Sequence, residues 1–322
     1  MGFAICNCKN GFHENATQLI PDFDVNTNHS SKDLSPTFKS NIQAKLSTLG
    51  EFKPSMDIKS ILEKINPLVN KIEIPQEKIT KSQQLIKLPL IEFLNGEKYE
   101  GEWNYNTYCR EGYGISIYPN NKIYKGLWKD NNYGNFGSFF DDNGNYYMGE
   151  LLDGKAKGKG EMLMNNKFKY SGEFDDDLPC GKGILENYED NSIYEGEIVF
   201  GIKEGKGKIK FNDGTLYEGD FKNDEFDGFG KIIYEDGNSY EGEFKNNKKD
   251  GKGVFMWTDG KKYEGEFVND VKQGKGKLYL DENKYYEGTW INDKKHGKGC
   301  YSVNGELLQG LFRFGKVIIE NS

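Results

Sequence analysis

From residue 91 onward the chain alternates apolar and polar positions with a period of two, and the alternation restarts at nearly fixed intervals. The recurring core is Tyr-x-Gly-x-aromatic, as in Tyr99-Glu100-Gly101-Glu102-Trp103 and Tyr240-Glu241-Gly242-Glu243-Phe244. Its anchor tyrosines are Tyr99, Tyr124, Tyr147, Tyr170, Tyr194, Tyr217, Tyr240, Tyr263 and Tyr286, spaced 23 to 25 residues apart. About ten residues after each anchor comes Gly-x-Gly, for example Gly205-Lys206-Gly207, Gly251-Lys252-Gly253 and Gly274-Lys275-Gly276. Between that element and the next anchor stands a turn signal such as Asp213-Gly214, Asp236-Gly237 or Asp259-Gly260. Asp-Gly suits a tight two-residue hairpin turn, where both central residues take positive φ. Each repeat therefore predicts a β-hairpin of 23 residues: strand, Asp-Gly turn, strand, short polar loop.

Alternation along a strand assigns the faces. Tyr240, Gly242 and Phe244 share one face, and the two glutamates point to the other. A glycine column lets aromatic rings approach the backbone closely, so the expected core is rings laid over glycines. A lone hairpin cannot bury such a face. Stacking end to end can, which predicts an all-β fold: an elongated, twisted single-sheet array of about ten stacked β-hairpins. At about 4.8 Å per strand, roughly 20 strands would extend on the order of 95 Å.

The Tyr-Glu-Gly-Glu-Phe anchors, Asp-Gly turns and Gly-Lys-Gly elements resemble the MORN (membrane occupation and recognition nexus) repeat. Nine repeats carry the resemblance over residues 91–300. A tenth, Leu308-Gln309-Gly310-Leu311-Phe312, lacks the tyrosine and reads as a terminal cap. The second repeat departs as well, since Asn132-Tyr133-Gly134-Asn135-Phe136-Gly137 stands where Gly-x-Gly is expected, which predicts a bulge or kink. The resemblance implies a non-enzymatic scaffold that binds protein partners at a membrane-associated or cytoskeletal structure. Its alternatives are a ciliary structural component of the radial-spoke kind, an acidic-lipid or phosphoinositide tether, and a regulatory subunit of a separate enzyme.

Composition draws one boundary, near Pro89. None of the 20 Tyr or 4 Trp lies before residue 91, whereas six of the eight prolines do. Residues 1–90 form an N-terminal segment, partly disordered by composition, and residues 91–322 the array. The segment carries 11 Lys against 9 Asp and Glu; the whole chain has 43 basic and 51 acidic residues and a net charge of −8. An array this acidic repels phosphate backbones, which argues against nucleic acid as the partner. Mean hydropathy is −0.79, and no run approaches the roughly 18 apolar residues of a membrane-spanning helix. There is no secretory signal pattern. Five scattered cysteines suit a reducing, cytoplasmic setting better than a disulfide framework.

Within the N-terminal segment, Ser35 and Pro36 can open a helix with Phe38, Ile42, Leu46 and Leu49 on one face, ended by Gly50. A second short helix shows Ile58, Ile61, Leu62 and Ile65 before Pro67. Such helices could dock on the open first edge of the sheet or serve as amphipathic ligands for a partner. Gly2, with Cys6 and Cys8, forms a candidate acylation site, opposed by Cys at the position where Ser or Thr is expected, the bulk of Phe3 and a single nearby basic residue.

Two stripes of the array are candidate binding surfaces. Lys159, Lys182, Lys206, Lys252, Lys275 and Lys298 line up on one face at about 10 Å intervals, as an anion stripe or, more simply, as partners of the anchor glutamates. The anchor tyrosines are core residues or, where exposed, the wall of an aromatic groove for a partner segment. No Walker-type or dinucleotide glycine motif, zinc-ligand spacing or nucleophile elbow occurs, so no cofactor, no metal and no catalytic residue is expected.

Overall fold

The computed structural model describes residues 85–93 and 95–318. The expected N-terminal helices, Gly2, Cys6 and Cys8 lie outside the described residues. The chain divides into two compact units, Met1–Glu189 and Asp190–Ser322. The first contains β1 (Leu85–Glu92), β2 (Lys98–Asn104), β3 (Arg110–Ile117), β4 (Ile123–Lys129), β5 (Asn132–Phe140), β6 (Tyr146–Leu152), β7 (Lys155–Met164), β8 (Phe168–Asp175) and β9 (Leu178–Asn187). The second contains β10 (Ser192–Val199), β11 (Ile202–Lys210), β12 (Leu216–Lys222), β13 (Glu225–Ile233), β14 (Ser239–Lys245), β15 (Lys248–Met256), β16 (Lys262–Val268) and β17 (Val271–Asp281). It ends with β18 (Lys284–Ile291), β19 (Lys294–Val303), β20 (Glu306–Arg313) and β21 (Lys316–Ile318). Among the described residues there is no helix. Within each compact unit every strand pairs antiparallel with its sequence neighbours, giving an open meander. The all-β hairpin array read from the sequence is therefore what the chain forms. It starts before the composition boundary, because β1 pairs with β2 from Leu85 onward; Pro89 is tolerated on this strand, where the register slips between Leu88 and Ile91.

The two kinds of turn are the reverse of what Asp-Gly suggested. In Asp213-Gly214, Asp236-Gly237 and Asp259-Gly260 only the glycine has positive φ, at +91°, +82° and +85°. These are longer connections: Gly214 N–H donates to Phe211 O and Phe211 N–H to Thr215 O, while the Asp213 carboxylate accepts from Thr215 N–H at 2.8 Å. The two-residue turns with positive φ at both positions lie at the opposite end, at Asn223-Asp224, Asn246-Asn247, Asn269-Asp270 and Asn292-Asp293, with φ of 47–50° and then 62–71°. Asn and Asp enter the left-handed region more readily than other side-chain-bearing residues, so the polar pairs in the loops were the stronger hairpin signal.

Each of the nine anchored repeats also carries a bulge at one place. Opposite β14, Gly242 pairs with Gly253 and Phe244 with Lys249, so Glu243 alone faces Asp250, Gly251 and Lys252. The second repeat shows the same shift between Gly126 and Trp128. The bulge expected there is thus a property of the whole array, and Gly137 keeps the role of the second glycine.

The core sits on the aromatic face. All nine anchor tyrosines are at most 1% exposed, each ring lying over a pair of glycines. A Cβ built on Gly253 would fall 2.3 Å from the Tyr240 Oη and 2.4 Å from its ring carbons. The rings form an edge-to-face ladder: Tyr240 packs on Phe244 of its own repeat and on Phe267 of the next, both at 5.1 Å. Tyr263 does the same with Phe267 and Trp290, at 5.1 and 5.3 Å. Each such contact contributes roughly 0.5–1.5 kcal/mol beyond the area it buries. The contact recurs wherever the following anchor ends in an aromatic residue, whereas Leu151 and Ile198 stand at that place after Tyr124 and Tyr170.

Candidate functional site

Three further contacts hold the repeat together, and they account for residues the alternation alone left as surface. First, every anchor hydroxyl donates to the main-chain carbonyl three residues on, from Tyr124 to Leu127 at 2.6 Å to Tyr286 to Thr289 at 3.5 Å. That carbonyl belongs to the residue opposite the bulge, so Tyr rather than Phe is required. Second, the acidic residue opposite the bulge caps it. Glu102, Asp220 and Glu243 accept from Tyr113, Phe229 and Lys252 N–H at 2.6, 2.8 and 3.1 Å. Third, where the second residue of a tight turn is Asn or Asp, its side chain clasps the preceding repeat. Asp224 accepts from Lys203 N–H at 2.9 Å, Asn247 from Phe226 N–H at 2.7 Å and Asp270 from Lys249 N–H at 3.0 Å, each across 21 residues.

The clasped position is itself a column on the aromatic face, and it was not found by sequence reasoning. It holds Arg110, Tyr133, Ala156, Pro179, Lys203, Phe226, Lys249, Lys272 and Lys295, of which Tyr133, Pro179 and Lys295 meet turns whose second residue is glycine and receive no side-chain clasp. Several of these cover the anchor ring: Phe226 stacks flat on Tyr217 at 3.6 Å, and Lys203, Lys249, Lys272 and Lys295 lie 5.7, 5.8, 5.4 and 4.7 Å from the centroids of Tyr194, Tyr240, Tyr263 and Tyr286. The signal was a cation 23 residues apart in the last three repeats, hidden because Phe, Tyr, Ala and Pro fill the same place elsewhere. Burial lowers the pKa of Lys272, against the attraction of Asp293. In the first repeat Arg110 sits 4.0 Å from the Trp128 ring and bonds the buried Glu97, which also accepts from Ser116 at 2.6 Å.

The anchor tyrosines, all buried, do not line a groove. The six lysines of the expected stripe do lie on the reverse face. Lys159 stands opposite Glu173, Lys206 opposite Asp220 and Lys252 opposite Glu266. Among the described residues, Lys206 is the one member of the six that closes an ion pair, with Asp220 at 2.6 Å; Lys182 lies on β9. Lys275 and Lys298 face Thr289 and Leu311, because the last two anchors have lost their second acid.

In the second compact unit the reverse face holds a groove of about 1380 Å³ running from β13 to β20. Its floor is the bare backbone of Gly242, Gly253, Gly265, Gly276, Gly288 and Gly299. Along one wall run Met256, Tyr279, Tyr285 and Leu307; along the other, Phe229, Lys252, Glu266, Lys275 and Lys298. Between them Lys231–Glu241 and Lys277–Glu287 pair across strands at 3.2 and 3.3 Å. Met256, Phe229 and Leu307 are 50%, 55% and 63% exposed. The groove thus offers apolar rims, charges of both signs and accessible main chain, which suits an amphipathic segment. Among the described residues no group of three or more His, Cys, Asp or Glu side chains is placed to hold a metal ion, and no helix is long and apolar enough to cross a membrane.

An open antiparallel array of bulged hairpins with tyrosines over paired glycines defines a repeat-built interaction module. The model of the MORN repeat matches residues 147–166, 170–187, 194–216, 217–239, 240–262, 263–281 and 286–306, seven consecutive repeats, and the chain is a MORN-repeat protein. Proteins of this family are generally non-enzymatic, protein- or membrane-interacting modules. The repeats anchored by Tyr99 and Tyr124 lie outside the matched stretches yet share the same hydroxyl bond, bulge and glycine pair. Among solved structures, the TCP domain of SAS-4 (dCPAP) of Drosophila melanogaster, in complex with a proline-rich motif of Ana2 (dSTIL), is 13% identical, with 68% of this chain and 97% of that one covered and a TM-score of 0.30. A catalytically inactive virginiamycin B lyase of Staphylococcus aureus with quinupristin is 12% identical, with 72% and 96% covered and a TM-score of 0.12.

Proposed function

We propose that this chain is a non-catalytic scaffold whose second compact unit takes up an amphipathic segment of a protein partner in the reverse-face groove, at a membrane-associated or cytoskeletal structure. The observation that carries the reading is the groove itself: exposed Phe229, Met256 and Leu307 rim a floor of bare glycine backbone. Seven to eight strands at about 4.8 Å give a trough of roughly 35 Å, long enough for a helix of about 20 residues. The test is quantitative affinity purification of the full chain against Val254→Arg/Thr289→Arg, which blocks the trough, and against Lys222→Glu as a surface control. A partner recovered in stoichiometric amount by wild type and control but lost from the blocked variant supports the reading. Equal recovery by all three overturns it.

A second reading rests on Lys275 and Lys298, which close no ion pair among the described residues and stand opposite Thr289 and Leu311 on the following strands. With Lys252 they form a short cationic row suited to an acidic lipid headgroup. Sedimentation with phosphoinositide vesicles separates the readings, since Lys252→Glu/Lys275→Glu/Lys298→Glu abolishes vesicle binding only under this one.

A further inference from the structure

The reverse face is not the same surface in the two compact units. In the second its strands alternate, as β14 and β16 do, with tyrosine and phenylalanine buried and the charged residues between them exposed or half-exposed. In the first, β4 is buried on both sides from Ile123 to Gly126, and β5 from Phe136 to Phe140. Cross-strand pairing puts Ile117, Ile123 and Phe140 in one reverse-face row, and Lys125 and Ser138 in the next. These residues are 5%, 0%, 2%, 9% and 0% exposed, and Phe136 beside them is 8% exposed. The matching row of the second compact unit contains Met256, which is 50% exposed. The chemistry differs too. Where the second compact unit places Met256, Lys262, Tyr279 and Tyr285, the first places Ile117, Ile123, Phe140 and Tyr146. Among the described residues no second layer lies over this face.

We propose that the reverse face of the first compact unit is the docking site of this chain's own segment 57–66, so that one face is occupied in cis while the groove of the other stays open. The segment has the apolar stripe Ile58, Ile61, Leu62 and Ile65, with Lys59, Glu63 and Lys64 between, which matches a row of Ile and Phe flanked by polar positions. The attachment point favours it over a second molecule. The described sheet begins at Leu85 in β1, at the edge of this same face. From Ile65 to Leu85 the chain can span roughly 60 Å, against about 19 Å across the four strand spacings from β1 to β5. A tether this short gives an effective concentration on the order of millimolar, so the segment outcompetes free ligands of moderate affinity. Burying four aliphatic side chains against Ile117, Ile123, Phe136 and Phe140 leaves the pair as a latch that a tighter partner can displace.

The test uses the full chain. With the photo-crosslinker p-benzoylphenylalanine in place of Leu62, peptides covering 115–148 of the same molecule are the expected crosslinked products, read by mass spectrometry on a mixture of isotopically light and heavy protein. Light–heavy crosslinks mean that a second copy is the occupant, and crosslinks to 229–309 mean that the segment sits in the other compact unit; either overturns the proposal, as does the absence of crosslinks to 115–148. In a separate measurement, a fluorescein-labelled peptide of residues 54–69 is titrated against wild type and against Ile61→Asp/Leu62→Asp. The vacated variant is expected to bind it at least about tenfold more tightly, since the tether no longer competes, and equal binding overturns the proposal. Neither readout depends on the groove of the second compact unit, so failure here leaves the partner-binding reading untouched, and the reverse.

Discussion

The hydroxyl of Tyr240 donates to the main-chain carbonyl of Glu243 at 2.9 Å, closing a loop of three residues that spans the bulge. Glu243 faces three residues of β15 where regular pairing would supply one, so the regular ladder is interrupted at that point. Tyr240→Phe keeps the ring over Gly242 and Gly253 and removes only the donor. It is expected to destabilise the second compact unit by about 1–2 kcal/mol, the cost of losing a hydrogen bond made by a buried hydroxyl, measured as a shift in urea midpoint with an unchanged slope.

Glycines divide into two classes with different tolerance. A Cβ on Gly253 would meet the Tyr240 ring at 2.3–2.4 Å, whereas one on Gly260 meets nothing within 4 Å, although φ there is +85°. Gly253→Ala must expel a fully buried tyrosine and is expected to cost more than about 3 kcal/mol. Gly260→Ala carries only left-handed strain, roughly 1–2 kcal/mol. Thermal melts of both variants check the order, and similar losses would contradict the ring-over-glycine packing.

Asp177 occupies the clasp position of its turn, accepting from Ala156 N–H at 2.6 Å. Where Asp224, Asp270 and Asp293 have Lys203, Lys249 and Lys272 beside them, Asp177 has Ala156. Burial raises its pKa from 3.8 to about 6, against the backbone hydrogen bond and Lys155, which lower it. The folded protein therefore holds this proton more tightly than the unfolded chain. The first compact unit is most stable below about pH 4 with respect to this group, and that advantage is lost as pH rises from about 4 through about 6. Partial exposure discounts the full shift to roughly 1–2 kcal/mol. Asp177→Asn, which imitates Asn131 and Asn247 at the same position, is expected to raise stability at pH 7 by on the order of 1 kcal/mol and to flatten the profile between about pH 4 and 6. Parallel urea titrations at four values from about pH 4 to about pH 7 check both.

Thr289 stands where seven of the nine anchors place an acid opposite the bulge, and Gly297 opposite it has φ +65° with nothing within 4 Å of a Cβ. Thr289→Glu is expected to restore the cap and face Lys275, stabilising the last hairpins by about 0.5–1.5 kcal/mol. Hydrogen exchange of β18 and β19 amides provides the local readout, since slower exchange should be confined to those strands.

The alternation of Tyr, Gly and Phe and the 23-residue interval were sufficient to place the hairpins, the buried face and the family, because both are local properties of a strand and recur in every repeat. The turn types were misplaced because Asp-Gly and Asn-Asp are both turn formers, and only the paired strands decide which end is tight. Why the anchor is tyrosine, why an acid follows it and why a cation, an alanine or a phenylalanine can share one column all depend on the bulge. A bulge is a mismatch between two strands, and no single strand records it. The unequal reverse faces came from burial alone: the sequence shows Ile123 and Phe140 as ordinary strand residues, and only their loss of solvent in the folded chain sets the first compact unit apart from the second.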